Sequence, residues 1–241
     1  MNLYYFPELT PEAVSAATLV RLVGDEAKHA VKVMRMKNGH KVYLTDGRGN
    51  RYESVMVSDV LGNVELKVLA CESTQAHNKP EFCLAVAPTK NPDRMEWLTE
   101  KATEVGLNSL LLMECEHSER TRVNVDRLKR IAVSAMKQSL RLQLPIVEDV
   151  KSFKQLVSTP FEGCKFIAWC DTSTEVQFFE KLPLASNCLM LIGPEGDFSP
   201  TEIDMAVKNG FVPVSLGSTR FRTETAALTA TFMFNLKNSL L

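Results

Sequence analysis

The chain has 241 residues, 45% of them hydrophobic and 24% charged, which is the composition of a globular protein with a sizeable core in one large or two smaller domains. Its longest apolar runs, such as Phe82 to Ala87, are far too short to span a bilayer, and MNLYYFPELTPE has none of the layout of a signal peptide. A net charge of −1 selects no partner by itself.

Residues 1–72 read as a small β-rich unit. One helix interrupts it. Asp25 can cap this helix, Ala27, Ala30, Val31 and Met34 form its apolar stripe, and Asn38-Gly39 ends it. KVYLT (Lys41 to Thr45) alternates, DGRGN (Asp46 to Asn50) turns, and Arg51 to Val60 alternates again. Leu61-Gly62-Asn63 is a second turn before Val64 to Leu69. Short strands, glycine turns and a single helix predict a small barrel. The stretch CESTQAHNKP is polar and ends in proline, so residues 73–80 read as a linker.

From residue 81 to 241 the pattern changes. Phe82 to Ala87 is followed by a helix from about Asp93, its cap, to Val105. Ser109 to Met113 is followed by a helix from Val125 to Leu140. Then come Lys165 to Cys170, Cys188 to Ile192, a helix from Pro200 to Asn209, Val212 to Leu216 and a long terminal helix. Such alternation predicts a parallel sheet covered on both faces, with ligands beyond the carboxyl ends of its strands.

The cations cluster in two segments. Lys28, Lys32, Arg35, Lys37, Lys41, Arg48 and Arg51 face only Asp46; Arg120, Arg122, Arg127, Lys129, Arg130, Lys137 and Arg141 face only Asp126. Either could be a solvated face, but two of them in a slightly acidic chain point toward nucleic acid. The six cysteines (Cys71, Cys83, Cys115, Cys164, Cys170, Cys188) form no CxxC pair, and the scattered histidines match no metal motif. Buried thiols in a reducing cytoplasm and no metal site are expected.

Two loops stand at predicted strand ends. LIGPEGDFSPTEI matches neither of the standard phosphate cradles. Gly193 and Gly196 permit close backbone approach or positive φ, Pro194 stiffens the loop, and Ser199 with Glu202 has the form of a capping box. A plain strand-to-helix turn explains half of this. The acidic remainder suits a neutral or cationic ligand such as a nucleoside. In SLGSTRFRTETAALTA, Thr223 or Thr225 can cap the terminal helix and Glu224 suits its positive end, yet Arg220 and Arg222 exceed what capping requires. EKATEVG (Glu100 to Gly106) is mainly structural. In AMKQSLRLQLP, Gln138 and Arg141 share one helix face.

EKATEVG, KQSLR-LQLP, LIGPEGDFSPTEI and SLGSTRFRTETAALTA, in this order and spacing, resemble the ribosomal RNA uridine-N3 methyltransferases of the small subunit, in the knotted (SPOUT) methyltransferase superfamily. HAVKVMRMKNG (His29 to Gly39) and LTDGRGNRYE (Leu44 to Glu53) resemble that family's RNA-binding barrel, so the likeness covers nearly the whole chain. It implies an α/β protein: a C-terminal trefoil-knotted methyltransferase domain at 81–241 and a small N-terminal PUA-like β-barrel at 1–72. It further implies a cytoplasmic homodimer joined through the knot region. S-adenosylmethionine would be held by Leu191, Ile192, Gly193, Pro194, Glu195, Gly196, Leu216, Gly217, Ser218, Phe221 and Arg222, and no metal is implied. Arg222 would stabilise charge on the target uracil, and Glu224 is the candidate proton acceptor, a role that competes with helix capping. Arg35, Lys37, Arg48 and Arg51, with Arg120, Gln138 and Arg141 lining the approach, would hold ribosomal RNA or the small ribosomal subunit. The chain departs from the family pattern in three places. Asp197 stands where GPEGG has its last glycine, Arg220-Phe221-Arg222 replaces Ile-Leu-Arg, and MNLYYF lacks a usual arginine. Rival readings are a knotted methyltransferase with another RNA target, such as a ribose hydroxyl, and a non-catalytic RNA-binding assembly factor.

Overall fold

The computed structural model describes residues 3–14, 18–73, 79–169 and 176–238. Cys170 and most of the expected linker lie outside them. The chain forms two compact units, Met1–Asn78 with Met136–Leu144, and Lys79–Ala135 with Pro145–Leu241.

The first unit is a five-stranded sheet in the order β1-β3-β4-β5-β2. Its strands are β1 (Leu3–Tyr5), β2 (Leu19–Leu22), β3 (Lys41–Thr45), β4 (Asn50–Val60) and β5 (Asn63–Ser73). β1 runs parallel to β3 and every other pairing is antiparallel. Period-2 alternation sends Tyr52, Ser54 and Met56 of β4 inward. Register shifts at Glu53/Ser54 and Met56/Ser58 mark bulges, which bend and twist a strand pair and so let the sheet curl over its core. That core contains Leu44, Tyr52, Met56, Leu66 and Val68.

The helix of this unit differs from expectation. α1 (Gly24–Lys28) passes into a π-helical turn, His29–Val33. Asp25 is not its cap. The N-cap is Val23, which makes no side-chain bond, and Asp25 instead pairs with Lys28 at 3.1 Å. The π-turn, closed by Met34 N donating to His29 O, inserts one extra residue into the spiral. The apolar stripe therefore slips by a position. Met34 turns out to 41% exposure, and Met36 is buried in its stead. Arg35 takes up the change at φ 51°, left-handed backbone that a non-glycine residue rarely adopts.

The DGRGN turn is organised by one carboxylate. The buried Asp46 accepts from Arg48 N (2.8 Å), Asn50 Nδ2 (2.6 Å) and the Tyr52 hydroxyl (3.2 Å). Burial, with Asp46 beside it, pushes the Tyr52 hydroxyl pKa up. Residues 136–144 group with this unit, although boundaries drawn along the chain keep them with 81–241. The Leu142 carbonyl accepts from Thr45 Oγ1 and Gly49 N, and Leu144 N donates to Gly47 O.

The second unit is a six-stranded, all-parallel sheet in the order β11-β9-β10-β6-β7-β8. The strands are β6 (Phe82–Val86), β7 (Ser109–Glu114), β8 (Ile146–Ser152), β9 (Cys164–Ala168), β10 (Cys188–Ile192) and β11 (Val212–Val214). The helices are α2 (Pro92–Val105), α3 (Val125–Gln138), α4 (Phe153–Ser158), α5 (Phe178–Lys181), α6 (Pro200–Lys208) and α7 (Thr223–Asn238). Every residue of β10, CLMLI, is buried, as a central parallel strand requires. Phe82 stacks on Phe234 of α7, ring centroids 4.8 Å apart. The cap of α2 is Asn91, whose side chain accepts from Asp93 N at 3.0 Å, so Asp93 lies inside the helix it was expected to cap. β8, α4 and α5 are additional to the expected elements of this unit.

Among the described residues no helix is long and apolar enough to cross a membrane, and no cluster of His, Cys, Asp and Glu could hold a metal ion. Cys115 and Cys188 are buried, whereas Cys71, Cys83 and Cys164 are only partly so. Cys164 and Cys188 face each other across β9 and β10. A hydrogen bond from Cys188, supported by Ser186, holds the Cys164 thiol down to about 7, while burial pushes Cys188, Cys83 and Cys71 up. The Cys164 thiolate fraction rises as pH passes 7. Iodoacetamide should therefore label Cys164 before the other described thiols, and much faster at pH 8 than at pH 6. Peptide mass spectrometry showing Cys71 or Cys83 labelled first would contradict this.

Candidate functional site

The carboxyl ends of β9, β10 and β11 open onto one cavity of about 830 Å³. Its walls are Ala168 and Trp169 after β9, Ile192 to Glu195 with Asp197 after β10, and Val214 to Thr223 after β11, with Gln177 and Ala226 completing them.

Each wall is held from behind. Trp169 N donates to Val214 O (3.1 Å), and Phe178 N donates to Ser215 O (2.9 Å). The GPEGD loop begins where Ala87 N donates to Ile192 O (3.0 Å) and turns where Asp197 N donates to Pro194 O (3.0 Å). Asp197 sits in left-handed backbone at φ 62°, with its own carboxylate accepting from Phe198 N at 2.8 Å. Ser199 and Glu202 form the expected capping box. The nearly buried Glu202 carboxylate does more, accepting from both Ser199 N and Glu116 N at 2.9 Å and so tying the loop after β7 to the one after β10. Glu195 is a brace: its Oε1 accepts from Lys90 N at 3.1 Å.

Of the two roles expected of the GPEGD glycines, positive φ is not used. Neither Gly193 nor Gly196 has positive φ. A Cβ on Gly193 would lie 3.1 Å from the Phe198 ring, and one on Gly196 would lie 3.0 Å from His117 Cβ. Both positions are closed to a side chain by packing behind the loop. Gly217 does need its freedom, at φ 145°.

Thr223, expected as a cap, is instead the first residue of α7. Its Oγ1 donates to Gly193 O at 3.0 Å, clipping the two cavity loops together. Of the residues expected to hold a ligand, Ile192, Gly193, Pro194, Glu195, Leu216, Gly217, Ser218, Phe221 and Arg222 line the cavity. Leu191 does not, because it points into the apolar core, and Gly196 rests on His117. Glu224 does not line it either. Its carboxylate is buried, with Oε1 3.5 Å from Arg94 Nε and Oε2 without a hydrogen-bond partner. Trp169, Gln177, Thr219 and Arg220 are additional wall residues. Trp169 carried only a strand signal, and Gln177 reaches the site through a bridge to Ser215 that no local pattern announces.

The expected RNA contacts divide. Arg35 and Gln138 are exposed, and Arg120 is half-exposed. Lys37 is exposed but pairs with Asp59 at 3.6 Å. Arg51 pairs with Glu72 and lies over the Tyr43 ring. Arg48 is committed to the fold: its guanidinium donates to Pro7 O and Leu9 O and pairs with Asp46. Arg141 Nε is buried without a partner, and burial lowers that side chain's pKa.

Residues 77–235 match the model of an RNA methyltransferase domain, and residues 22–68 match that of an RNA methyltransferase PUA domain. A Bacillus subtilis protein named ribosomal RNA small subunit methyltransferase E is 28% identical, the match covering 98% of this chain and 97% of that one. A crystal structure of a probable rRNA-methyltransferase from Porphyromonas gingivalis is 37% identical, covers 100% of this chain and 99% of its own, and superposes with a TM-score of 0.89. The small subunit methyltransferase E of Neisseria gonorrhoeae, solved bound to S-adenosyl methionine, has the same fold at 24% identity and a TM-score of 0.83, covering 96% and 95% of the two chains. With its methyltransferase domain matched over most of its length and a PUA domain ahead of it, this chain belongs to the RNA methyltransferase family that includes the small-subunit ribosomal RNA methyltransferases E.

Proposed function

We propose that the protein methylates N3 of a uridine in small-subunit ribosomal RNA, using S-adenosylmethionine. The observation that carries this is the cavity at the ends of β9, β10 and β11, walled by backbone-rich loops and two exposed arginines. Its residues fit the cofactor. Gly193 N and the backbone groups of Leu216 can read an adenine edge, Trp169 and Phe221 offer apolar ring surface, and there is no phosphate-cradle motif. Bound there, S-adenosylmethionine would supply a sulfonium methyl for in-line displacement.

The chain's own part is to position and to stabilise charge. The Thr223–Gly193 bond keeps two loops at a set separation. Arg222 faces the acceptor uracil and stabilises the negative charge its oxygens gain when N3 loses its proton. Of the carboxylates lining the cavity, Glu195 accepts from Lys90 N and Asp197 from Phe198 N, each through one oxygen. Glu224, held by Arg94, braces the start of α7.

Residues 1–72 would act as the RNA-binding domain and 81–241 as the catalytic one, with Arg35, Lys37 and Arg51 contacting phosphate. Arg48 is exposed too, but its bonds to Pro7 O, Leu9 O and Asp46 leave it less free to join that set. The strand order, with β9 lying between β10 and β11, is compatible with a trefoil knot through which the α7 segment threads. Exposed Trp97 on α2 and Phe232 and Leu236 on α7, helices that pack together, suit a cytoplasmic homodimer joined there.

Calorimetry with S-adenosylmethionine, followed by nucleoside mass spectrometry of ribosomal RNA from a deletion strain, tests the reading. Stoichiometric binding and the loss of one N3-methyluridine are expected. Loss of a ribose methyl would favour the alternative target, and absence of cofactor binding would favour an assembly factor.

A further inference from the structure

The loop from Gly217 to Thr223 carries more positive charge than the reaction proposed above uses. Arg220 and Arg222 both line the cavity and both are exposed. Only Arg222 has a part in the chemistry.

The local charges leave Arg220 uncommitted. Of the acids lining the cavity, Glu195 is bonded to Lys90 N at 3.1 Å and Asp197 to Phe198 N at 2.8 Å. Among the described residues no carboxylate stands within ion-pair distance of Arg220. Some arginines do find one, as Arg21 does in Glu65, Arg51 in Glu72 and Arg127 in Glu96, and of those that do not, Arg220 and Arg222 are the ones that line the cavity. A guanidinium stays charged at any working pH and presents its donors in a rigid fork suited to phosphate.

The loop that carries it is also constrained. At its start, Ser215 Oγ donates to Gly217 O (2.9 Å) and accepts from Gly217 N (3.3 Å). At its end, Thr223 is clipped to Gly193 O. Between the two arginines, Phe221 is half-buried against the wall. Arg220 is thus an unpaired cation on a short loop anchored at both ends, at a rim where residues 217–220 are all exposed. A ligand meeting it there arrives from solvent, as a macromolecule must.

We propose that Arg220 holds a backbone phosphate adjoining the target nucleotide, fixing the RNA so that the base can enter the cavity where Arg222 waits. This rests on the RNA methyltransferase reading above. Phosphate contacts position a nucleic acid without reading its bases, so Arg220 is a positioning residue and not a catalytic one.

The test uses the full-length protein with small-subunit ribosomal RNA. Wild type, Arg220→Ala, Arg220→Lys and Arg222→Ala are compared for cofactor affinity by calorimetry, for RNA affinity across a salt series, and for steady-state methylation. Arg220→Ala should weaken RNA binding and raise its KM about ten- to hundredfold. The slope of log affinity against log salt should fall by about one phosphate contact, with kcat within about twofold of wild type and cofactor affinity unchanged. Arg220→Lys should restore the salt slope and part of the affinity. A loss of cofactor affinity in Arg220→Ala would assign the cation to the cofactor's carboxylate and overturn the proposal. So would an unchanged salt slope, or a fall in kcat at constant KM. Failure of the wild type itself to bind cofactor or methylate RNA would instead refute the underlying function.

Discussion

Arg222→Ala is expected to lower kcat by about 10²- to 10³-fold, the usual cost of removing one preorganised donor aimed at developing charge. Arg222 lines the cavity, is exposed and forms no ion pair among the described residues. Its backbone carbonyl opens α7 by accepting from Ala226 N at 2.8 Å, and the substitution preserves that bond. Stability should therefore change by less than about 0.5 kcal/mol, as for an ordinary surface position. In the proposed reaction the cost falls on the transition state, because uracil would gain its negative charge only as N3 is deprotonated, so kcat drops more than RNA affinity does. Arg222→Lys keeps the charge without the fork and should recover only part of the rate. Transfer of labelled methyl to small-subunit RNA, beside a thermal melt followed by circular dichroism, measures both quantities. Turnover within threefold of wild type would remove Arg222 from the mechanism.

The second large effect concerns the fold. Asp46→Ala should destabilise the first unit by about 2–4 kcal/mol, since it leaves the buried Tyr52 hydroxyl unmatched at about 1–3 kcal/mol and two part-buried donors at less. Asp46 is 2% exposed and accepts from Arg48 N, Asn50 Nδ2 and the fully buried Tyr52 hydroxyl. Its carboxylate also pairs with Arg48 Nε at 3.4 Å, and Arg48 in turn holds Pro7 O and Leu9 O. Removing the carboxylate frees the turn and the segment bound to it. Asp46→Asn retains an acceptor and should cost about half as much. Urea unfolding of the three proteins measures this. Equal midpoints for wild type and Asp46→Ala would show that the turn is held by its glycines alone.

These two residues differ in how legible they were. Arg222 stood out because two arginines follow a glycine turn and precede a helix, more charge than a cap can use. Asp46 read only as the first residue of a glycine turn. Its burial follows from β4 carrying Tyr52 back over it, a pairing set by the curl of the sheet. The same divide runs through the rest of the chain. The central strand CLMLI and the Ser199–Glu202 box were legible because both are local: one is an unbroken apolar run, the other a fixed spacing of cap and acceptor. β8 was not, because IVEDVKS is a polar edge strand that owes its conformation to β7. The π-turn at His29–Val33 was hidden for a related reason. The 3.6-residue period favours Met34 as the inward residue, and packing of Ala30 and Met36 into the sheet overrides it.

The sequence by itself determined the kinds of element, the parallel second sheet, the two ligand loops and the family, since each rests on local spacing or on ordered motifs. Tertiary structure alone decided which side chains face the cavity. It withdrew Leu191 into the core, set Gly196 against His117 and Glu224 against Arg94, and brought in Trp169 and Gln177. The physical reason is that a cavity wall is defined by what lies across from it. That neighbour is supplied by hydrogen bonds between distant strands, such as Trp169 to Val214 and Ala87 to Ile192, and no local window of the chain contains both partners.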